Sequence, residues 1–271
     1  MKMTNPAGNY PGRQIFLGGL QAGHPAFVYL VSGRSKGSQE RIADPYDERE
    51  CAIRISPVDP KEKFDPFRHY QAVKIWPSNG ILVVSNNQAT VDPVLEGYAL
   101  MTDKERASAT LLRDVLHAVG PEYDNKDRNK CTPRITGVVY PAGKTWKQAL
   151  GITTKRGNIR ASFVPPEEVL VRHLDVQYLG RFDYVPTYNG EVDYSKFDVQ
   201  RLLAGGTVFA FKADTAQGLA DELFDMTDYE DSEYGLLRVC TIAGVRNGNG
   251  PGGWELARRN RHKLEVANQP V

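Results

Sequence analysis

Short apolar runs rich in aromatic and β-branched residues recur along the chain. Turn residues break them every few positions, a pattern that predicts strands before helices. Ile15 to Gly18 and Ala26 to Val31 are the first two runs, and Gly23-His24-Pro25 between them predicts a hairpin. Further strands are expected at Cys51 to Ile55, Tyr70 to Trp76, Ile81 to Ser85, Ile135 to Tyr140, Ala149 to Thr153 and Thr207 to Lys212. Pro77-Ser78-Asn79-Gly80 predicts a second hairpin.

Helical spacing emerges in two places. From Asp103 to Val119 the apolar positions Ala107, Leu111, Leu112, Val115, Leu116 and Val119 fall on one face. Thr102 with Glu105 forms a capping-box signature, and Gly120-Pro121 ends the helix. A second helix is predicted from Thr215 to Met226, with Leu219, Ala220, Leu223 and Phe224 on its apolar face, and a short third from Asp198 to Leu203. The stretch from Tyr178 to Lys196 reads as a surface excursion, and the tail after Val245, with Asn247 to Gly253, as a loop. Strand–helix–strand alternation is lacking, so antiparallel sheets with helices packed outside are expected, and 271 residues suit one large domain or two small ones.

Composition narrows the function. With 34 Lys+Arg against 33 Asp+Glu, no global charge favours nucleic acid or a membrane surface as partner. No run approaches the roughly 20 apolar residues of a membrane span, and the start lacks the apolar run of a signal peptide. Cys51, Cys131 and Cys240 are far apart with no CxxC, which points to reduced thiols in a cytoplasm. The five histidines are scattered, and no metal site is expected from their spacing. The chain contains no GxSxG, GxxxxGK[ST] or HExxH motif, and no GxGxxG after a strand.

Four polar segments at predicted strand ends carry the remaining chemistry. Arg13, in Tyr10-Pro11-Gly12-Arg13, is either an anion clamp or a solvated turn residue. Ser32 to Arg41 offers three hydroxyls, two glycines and three cations, the parts a phosphate needs, or else is a polar loop. Ser85 to Asp92 presents amides that suit carbonyl and amide edges, or asparagines bonding their own backbone. Thr132-Pro133-Arg134 precedes a strand, with Glu122-Tyr123-Asp124 upstream as acid–base candidates or solvated acids.

The order of these segments carries a resemblance. Tyr10 to Arg13, Val31 to Ser35 with Gln39-Glu40-Arg41, Val83 to Asn86, Thr132 to Ile135, Gly205-Gly206 and Gly253 to Ala257 succeed one another as in the archaeal-type IMP cyclohydrolase family, which the chain resembles over most of its length. The resemblance implies a single α+β domain over residues 1–271, a four-layer αββα sandwich of mainly antiparallel sheets like the N-terminal-nucleophile hydrolase fold. It implies closure of 5-formamidoimidazole-4-carboxamide ribonucleotide to IMP, with loss of water and no cofactor. The partner it implies is a purine ribonucleotide, and the oligomeric state is left open, a homo-oligomer included.

By the same resemblance Tyr70 falls on an active-site tyrosine and Arg34 on the arginine of a substrate-binding loop. The catalytic acid is either Glu122 or Asp124. Arg13, Arg34, Ser35, Ser85, Asn86, Thr132 and Arg134 are the expected substrate-binding residues. Extra length relative to short archaeal members lies at Cys51 to Phe64 and Tyr178 to Ser195. The competing readings are a related ribonucleotide or amide hydrolase on the same scaffold, and a non-catalytic purine-nucleotide-binding protein.

Overall fold

A computed structural model of the chain describes residues 12–102, 105, 110–123, 131–155, 167–175, 180–187, 209–227, 230–231, 233 and 235–262. The described strands are β1 (Gln14–Gly19), β2 (Pro25–Ser32), β3 (Arg41–Ala43), β4 (Ala52–Pro57), β5 (Tyr70–Trp76), β6 (Ile81–Ser85), β7 (Glu122–Tyr123), β8 (Cys131–Thr132), β9 (Arg134–Ala142), β10 (Thr145–Lys155), β11 (Glu167–Asp175), β12 (Arg181–Pro186), β13 (Glu230–Asp231), β14 (Gly235–Leu236), β15 (Arg238–Val245) and β16 (Glu255–Asn260). The described helices are α1 (Lys36–Gln39), α2 (Gln88–Leu100), α3 (Leu111–Val119) and α4 (Ala216–Met226), and a 3-10 turn spans Pro251–Gly253.

Two antiparallel sheets result. One has the order β12-β1-β2-β15-β16, the other β11-β10-β9-β6-β5-β4-β3. Ile15, Leu17, Phe27, Tyr29 and Val31 of the first sheet meet Leu82, Val84, Ile135, Val139 and Leu150 of the second in one core between the sheets. The opposite faces are covered too. Phe16, Val28 and Leu30 pack against Leu219, Ala220 and Leu223 of α4. Ile81, Val83 and Val138 pack against Val91, Val94 and Leu95 of α2 and Leu112 and Leu116 of α3. Strands buried on both faces need apolar residues at consecutive positions, which is why β1, β2 and β6 read as continuous runs rather than alternating ones. Each such Val, Leu, Ile or Phe side chain contributes about 1.5–3 kcal/mol by burial.

The predicted hairpins form: β1 pairs with β2 and β5 with β6. The capping box also forms, with Thr102 N donating to Glu105 Oε2 at 2.7 Å and Glu105 N to Thr102 Oγ1 at 3.3 Å. Of the helix predicted behind it, Leu111–Val119 is described as helix. Thr215 caps α4 by accepting from Gly218 N.

Three expectations need correction. Behind Ser85, which ends β6, Gln88–Leu100 forms helix α2 where only a polar segment was expected: Asn87 caps it through the backbone bond expected of an asparagine there, and Val91, Val94, Leu95 and Tyr98 are buried at helical spacing. Within the predicted excursion at 178–196, Arg181–Pro186 forms an edge strand on β1 and buries Phe182 and Val185. The chain after the Asn247–Gly253 loop returns as strand β16 along β15. Of the strand expected at Thr207 to Lys212, Phe209 forms an isolated bridge with Phe182. Asp198 to Leu203 and Gly205-Gly206 lie outside the described residues. Among the described residues no helix is long and apolar enough to cross a membrane.

Candidate active site

One end of the sandwich gathers the expected residues, because the register puts the starts of β1, β5 and β9 beside the ends of β2 and β6. Arg13 is held by its backbone. Its N–H donates to Thr187 Oγ1 at 2.9 Å, and its carbonyl accepts from Thr187 N at 2.8 Å. Its Nη2 donates to the Phe67 carbonyl at 2.9 Å. This sets the guanidinium carbon 5.4 Å from the centre of the Tyr70 ring. Tyr70 opens β5 with its ring in the core, and its hydroxyl lies 2.8 Å from that of Tyr29 on the facing sheet. Burial, then the neighbouring Tyr70, push the Tyr29 hydroxyl well above its ordinary pKa, while Arg13 opposes them.

Glu122 stands opposite Thr132 in the β7–β8 ladder. Its side chain is buried, and Oε2 has no hydrogen-bond partner among the described residues. Burial raises its carboxyl above the ordinary glutamate range; the Arg13 and Arg134 charges and a hydrogen bond from Asn87 pull the other way without cancelling it. Asn87 caps α2, its Oδ1 accepting from Ala89 N at 2.7 Å, and its side-chain amide acts to lower the Glu122 pKa. Arg13 therefore stands electrostatically between the tyrosine pair and a carboxyl group whose protonation burial favours.

The loop after β2 lies at the same end. Ser35 caps α1 in a reciprocal pair with Ser38 and is exposed, and Arg34 beside it is half-buried. Arg41 is buried beneath this loop, with Nε donating to the Ser38 carbonyl at 2.6 Å and Nη2 to the Ser32 carbonyl at 3.1 Å. Arg68 ties the 62–69 segment to the loop: it pairs with Glu62 at 2.8 Å and Asp65 at 2.7 Å, and donates to the Gly37 carbonyl at 3.0 Å. His69 is buried, and burial followed by the Arg68 charge lowers its pKa, so its neutral form is favoured. Its Nδ1 accepts from Asp65 N at 3.0 Å, which leaves the ring proton on Nε2. That Nε2 has no partner among the described residues.

Other expected residues meet the protein's own backbone. Ser85 Oγ is buried within reach of Thr90 Oγ1, Thr136 Oγ1 and the Ile135 carbonyl, at 2.6, 2.9 and 3.0 Å. Asn86 donates to the Pro133 carbonyl at 2.9 Å and accepts from Ile135 N at 2.8 Å, closing the β6–β9 junction. Arg134 Nη1 donates to the Val119 and Gly120 carbonyls, each at 2.5 Å, at the negative end of α3. Thr132 is half-buried opposite Glu122, and Asp124 lies outside the described residues.

The structure thus sets Arg13 against Tyr70, brings its charge to bear on Glu122, and adds Tyr29 and the helix cap Asn87, neither of which was named among the expected site residues. Tyr29 sits in an unbroken apolar strand, where a hydroxyl facing another sheet leaves no local signal. Asn87 had one available, as a helix-capping residue type before the spaced apolar positions of α2.

A family model described as IMP cyclohydrolase-like protein matches residues 10–250. No curated protein matches the chain. The match takes in every described residue of the site, and the chain belongs to the IMP cyclohydrolase-like protein family.

Proposed function

We propose that the protein closes 5-formamidoimidazole-4-carboxamide ribonucleotide to IMP, with Tyr70 and Glu122 serving the reacting atoms. The observation that carries this reading is the cluster of two hydroxyls, one guanidinium and one buried carboxyl group formed by Tyr29, Tyr70, Arg13 and Glu122. In this reaction the carboxamide nitrogen attacks the formyl carbon of the same molecule. A C–N bond forms and the formyl C–O bond breaks; the carboxamide nitrogen and the formamido nitrogen each give up one proton, and the two leave with the formyl oxygen as water. Both partners are already tethered, so orientation supplies several kcal/mol of the acceleration.

Tyr29, buried against Tyr70, donates its proton to the Tyr70 oxygen. The Tyr70 proton is then directed at the formyl oxygen as negative charge develops there. Arg13, beside the Tyr70 ring, stabilises that charge. Ionised Glu122 takes a proton from the carboxamide nitrogen and returns it to the departing hydroxyl. Arg34 and Ser35, on the loop buttressed by Arg68 and Arg41, hold the 5′-phosphate. Ser85, Asn86 and Arg134 hold β6, β9 and α3 in place around the site, and Thr132 keeps Glu122 in register. The two facing antiparallel sheets with helices outside also support the αββα architecture of N-terminal-nucleophile hydrolases. The setting we infer is the cytoplasm.

The test is ring closure followed by absorbance, with the formylated substrate and the full chain. Turnover to IMP is expected. IMP binding without turnover would favour a non-catalytic nucleotide-binding protein, and turnover of another ribonucleotide or of an amide alone would favour a related hydrolase.

A further inference from the structure

At the far end of the sandwich, Arg246 follows β15 into the Asn247–Gly253 loop. The two ends are well separated: β5 runs from Tyr70 to Trp76, about 20 Å at the usual strand rise, and the turn closed by Gly80 comes next. Arg246 is anchored there by its N–H, which donates to the Pro25 carbonyl at 2.9 Å.

Its guanidinium sits in a slot. The Trp146 ring is on one side, with the guanidinium carbon 4.0 Å from its centre. Glycine backbone closes the rest: a Cβ at Gly80 would come within 3.2 Å of Nε, and one at Gly253 within 3.3 Å of Nη2. Both glycines have positive φ, 72° and 81°, so side chains are disfavoured at these positions by conformation as well as by space.

The slot seals part of the group and leaves the rest open. Arg246 Nε is buried with no hydrogen-bond partner among the described residues. Nη1 and Nη2 form no hydrogen bond or ion pair there either, yet neither is a buried atom, so they face solvent. Glu255, at the start of β16, is engaged elsewhere. Glu255 accepts from Asn247 Nδ2 at 2.6 Å and from Ala216 N, at the start of α4, at 3.3 Å. Burial lowers the Arg246 pKa, and no carboxylate among the described residues offsets it.

A guanidinium held rigid, partly desolvated and without a counter-charge among the described residues has its rotamer entropy already lost and its fork pre-aimed. Those are the conditions under which arginine recognises a phosphate or a carboxylate bidentately. Were Arg246 only a packing piece, an apolar side chain would fill the slot without the desolvation cost of an unpaired charge.

We propose that Arg246, backed by Trp146 and the glycines of the two turns, is a second oxyanion site, for a phosphate group, at the end of the sandwich opposite Tyr70. The phosphate can come free or as the monoester of a nucleotide. The site does not depend on the ring-closure reading, because none of its residues belongs to the candidate active site.

The test labels the full chain with 5-fluorotryptophan. The protein has three tryptophans, so Trp146 is assigned by the resonance lost in Trp146→Phe. Inorganic phosphate and, separately, a nucleoside 5′-monophosphate are titrated at constant ionic strength. A saturable shift of the Trp146 resonance with either probe is expected, and which one saturates at lower concentration identifies the source. Arg246→Met, with Arg246→Lys as the variant that keeps the charge, should weaken that response at least tenfold while the Trp76 resonance keeps its position. No saturable Trp146 shift with either probe, or an equal response in a folded Arg246→Met or Arg246→Lys protein, overturns the proposal.

Discussion

The hydroxyls of Tyr29 and Tyr70 lie 2.8 Å apart across the interface between the two sheets, both rings fully buried. One hydroxyl must donate to the other, so the pair has one proton to give outward. The Arg13 guanidinium carbon stands 5.4 Å from the centre of the Tyr70 ring.

Tyr70→Phe removes the outward donor. Turnover should fall by roughly 10- to 1000-fold, the range for one donor or acid–base group, with little change in IMP affinity, since the interaction belongs to the transition state. It also leaves the Tyr29 hydroxyl without its partner, at a stability cost of about 1–3 kcal/mol. Tyr29→Phe should cost similar stability and less turnover. The double variant should be destabilised by less than the sum of the two, because no orphaned hydroxyl remains. Denaturant unfolding and single-turnover rates check all three. Normal cyclisation by Tyr70→Phe would remove Tyr70 from the chemistry.

Glu122 predicts a pH dependence. Burial raises its folded pKa above the ordinary glutamate value. The neutral acid is thus favoured in the folded state, and this stabilisation is present below the unfolded pKa and lost as pH rises through the folded one. Glu122→Gln should therefore match wild type in acid and be the more stable protein at neutral pH, which melting temperatures across pH will reveal. Activity needs the ionised base, so the acid limb of the rate profile should lie above the usual glutamate range. Arg13→Met removes a charge that lowers this pKa and should move the limb to still higher pH. An unmoved limb would separate Glu122 from proton transfer.

Arg34→Ala should weaken IMP binding by about 2 kcal/mol, the scale of a lost charge-assisted contact, and lysine should restore only part of it. Calorimetry with IMP reads this directly. Unchanged affinity in the folded variant would make Arg34 a solvated loop residue.

Asn86→Ala breaks both bonds across the β6–β9 junction. The expected loss is about 2–3 kcal/mol of stability, from two buried backbone groups left without their partner. IMP affinity of the folded fraction should remain near wild type. A large affinity loss with normal stability would instead put the Asn86 amide on the ligand.

The sequence alone determined the elements whose signals are local. The β1–β2 hairpin follows from two apolar runs around a Gly-His-Pro turn, the Thr102–Glu105 cap from a four-residue pattern, and α4 from apolar spacing behind Thr215. Antiparallel sheets followed from the absence of strand–helix alternation. Elsewhere tertiary contacts prevailed over local propensity. Pro93 and Gly97 disguise α2, which is held as a helix by the face it buries on β6. Glu255–Asn260 is mostly polar and only half-buried, and becomes a strand because β15 offers it a ladder. The same distinction governs the site. Arg13, Tyr70 and Glu122 were legible as residue types near strand ends. Their meeting depends on the register of two sheets and on contacts spanning tens of residues, which no local pattern encodes. Tyr29 and Arg246 were chosen by packing alone: one is a core tyrosine until Tyr70 faces it, the other a loop arginine until Trp146 and two glycines enclose it.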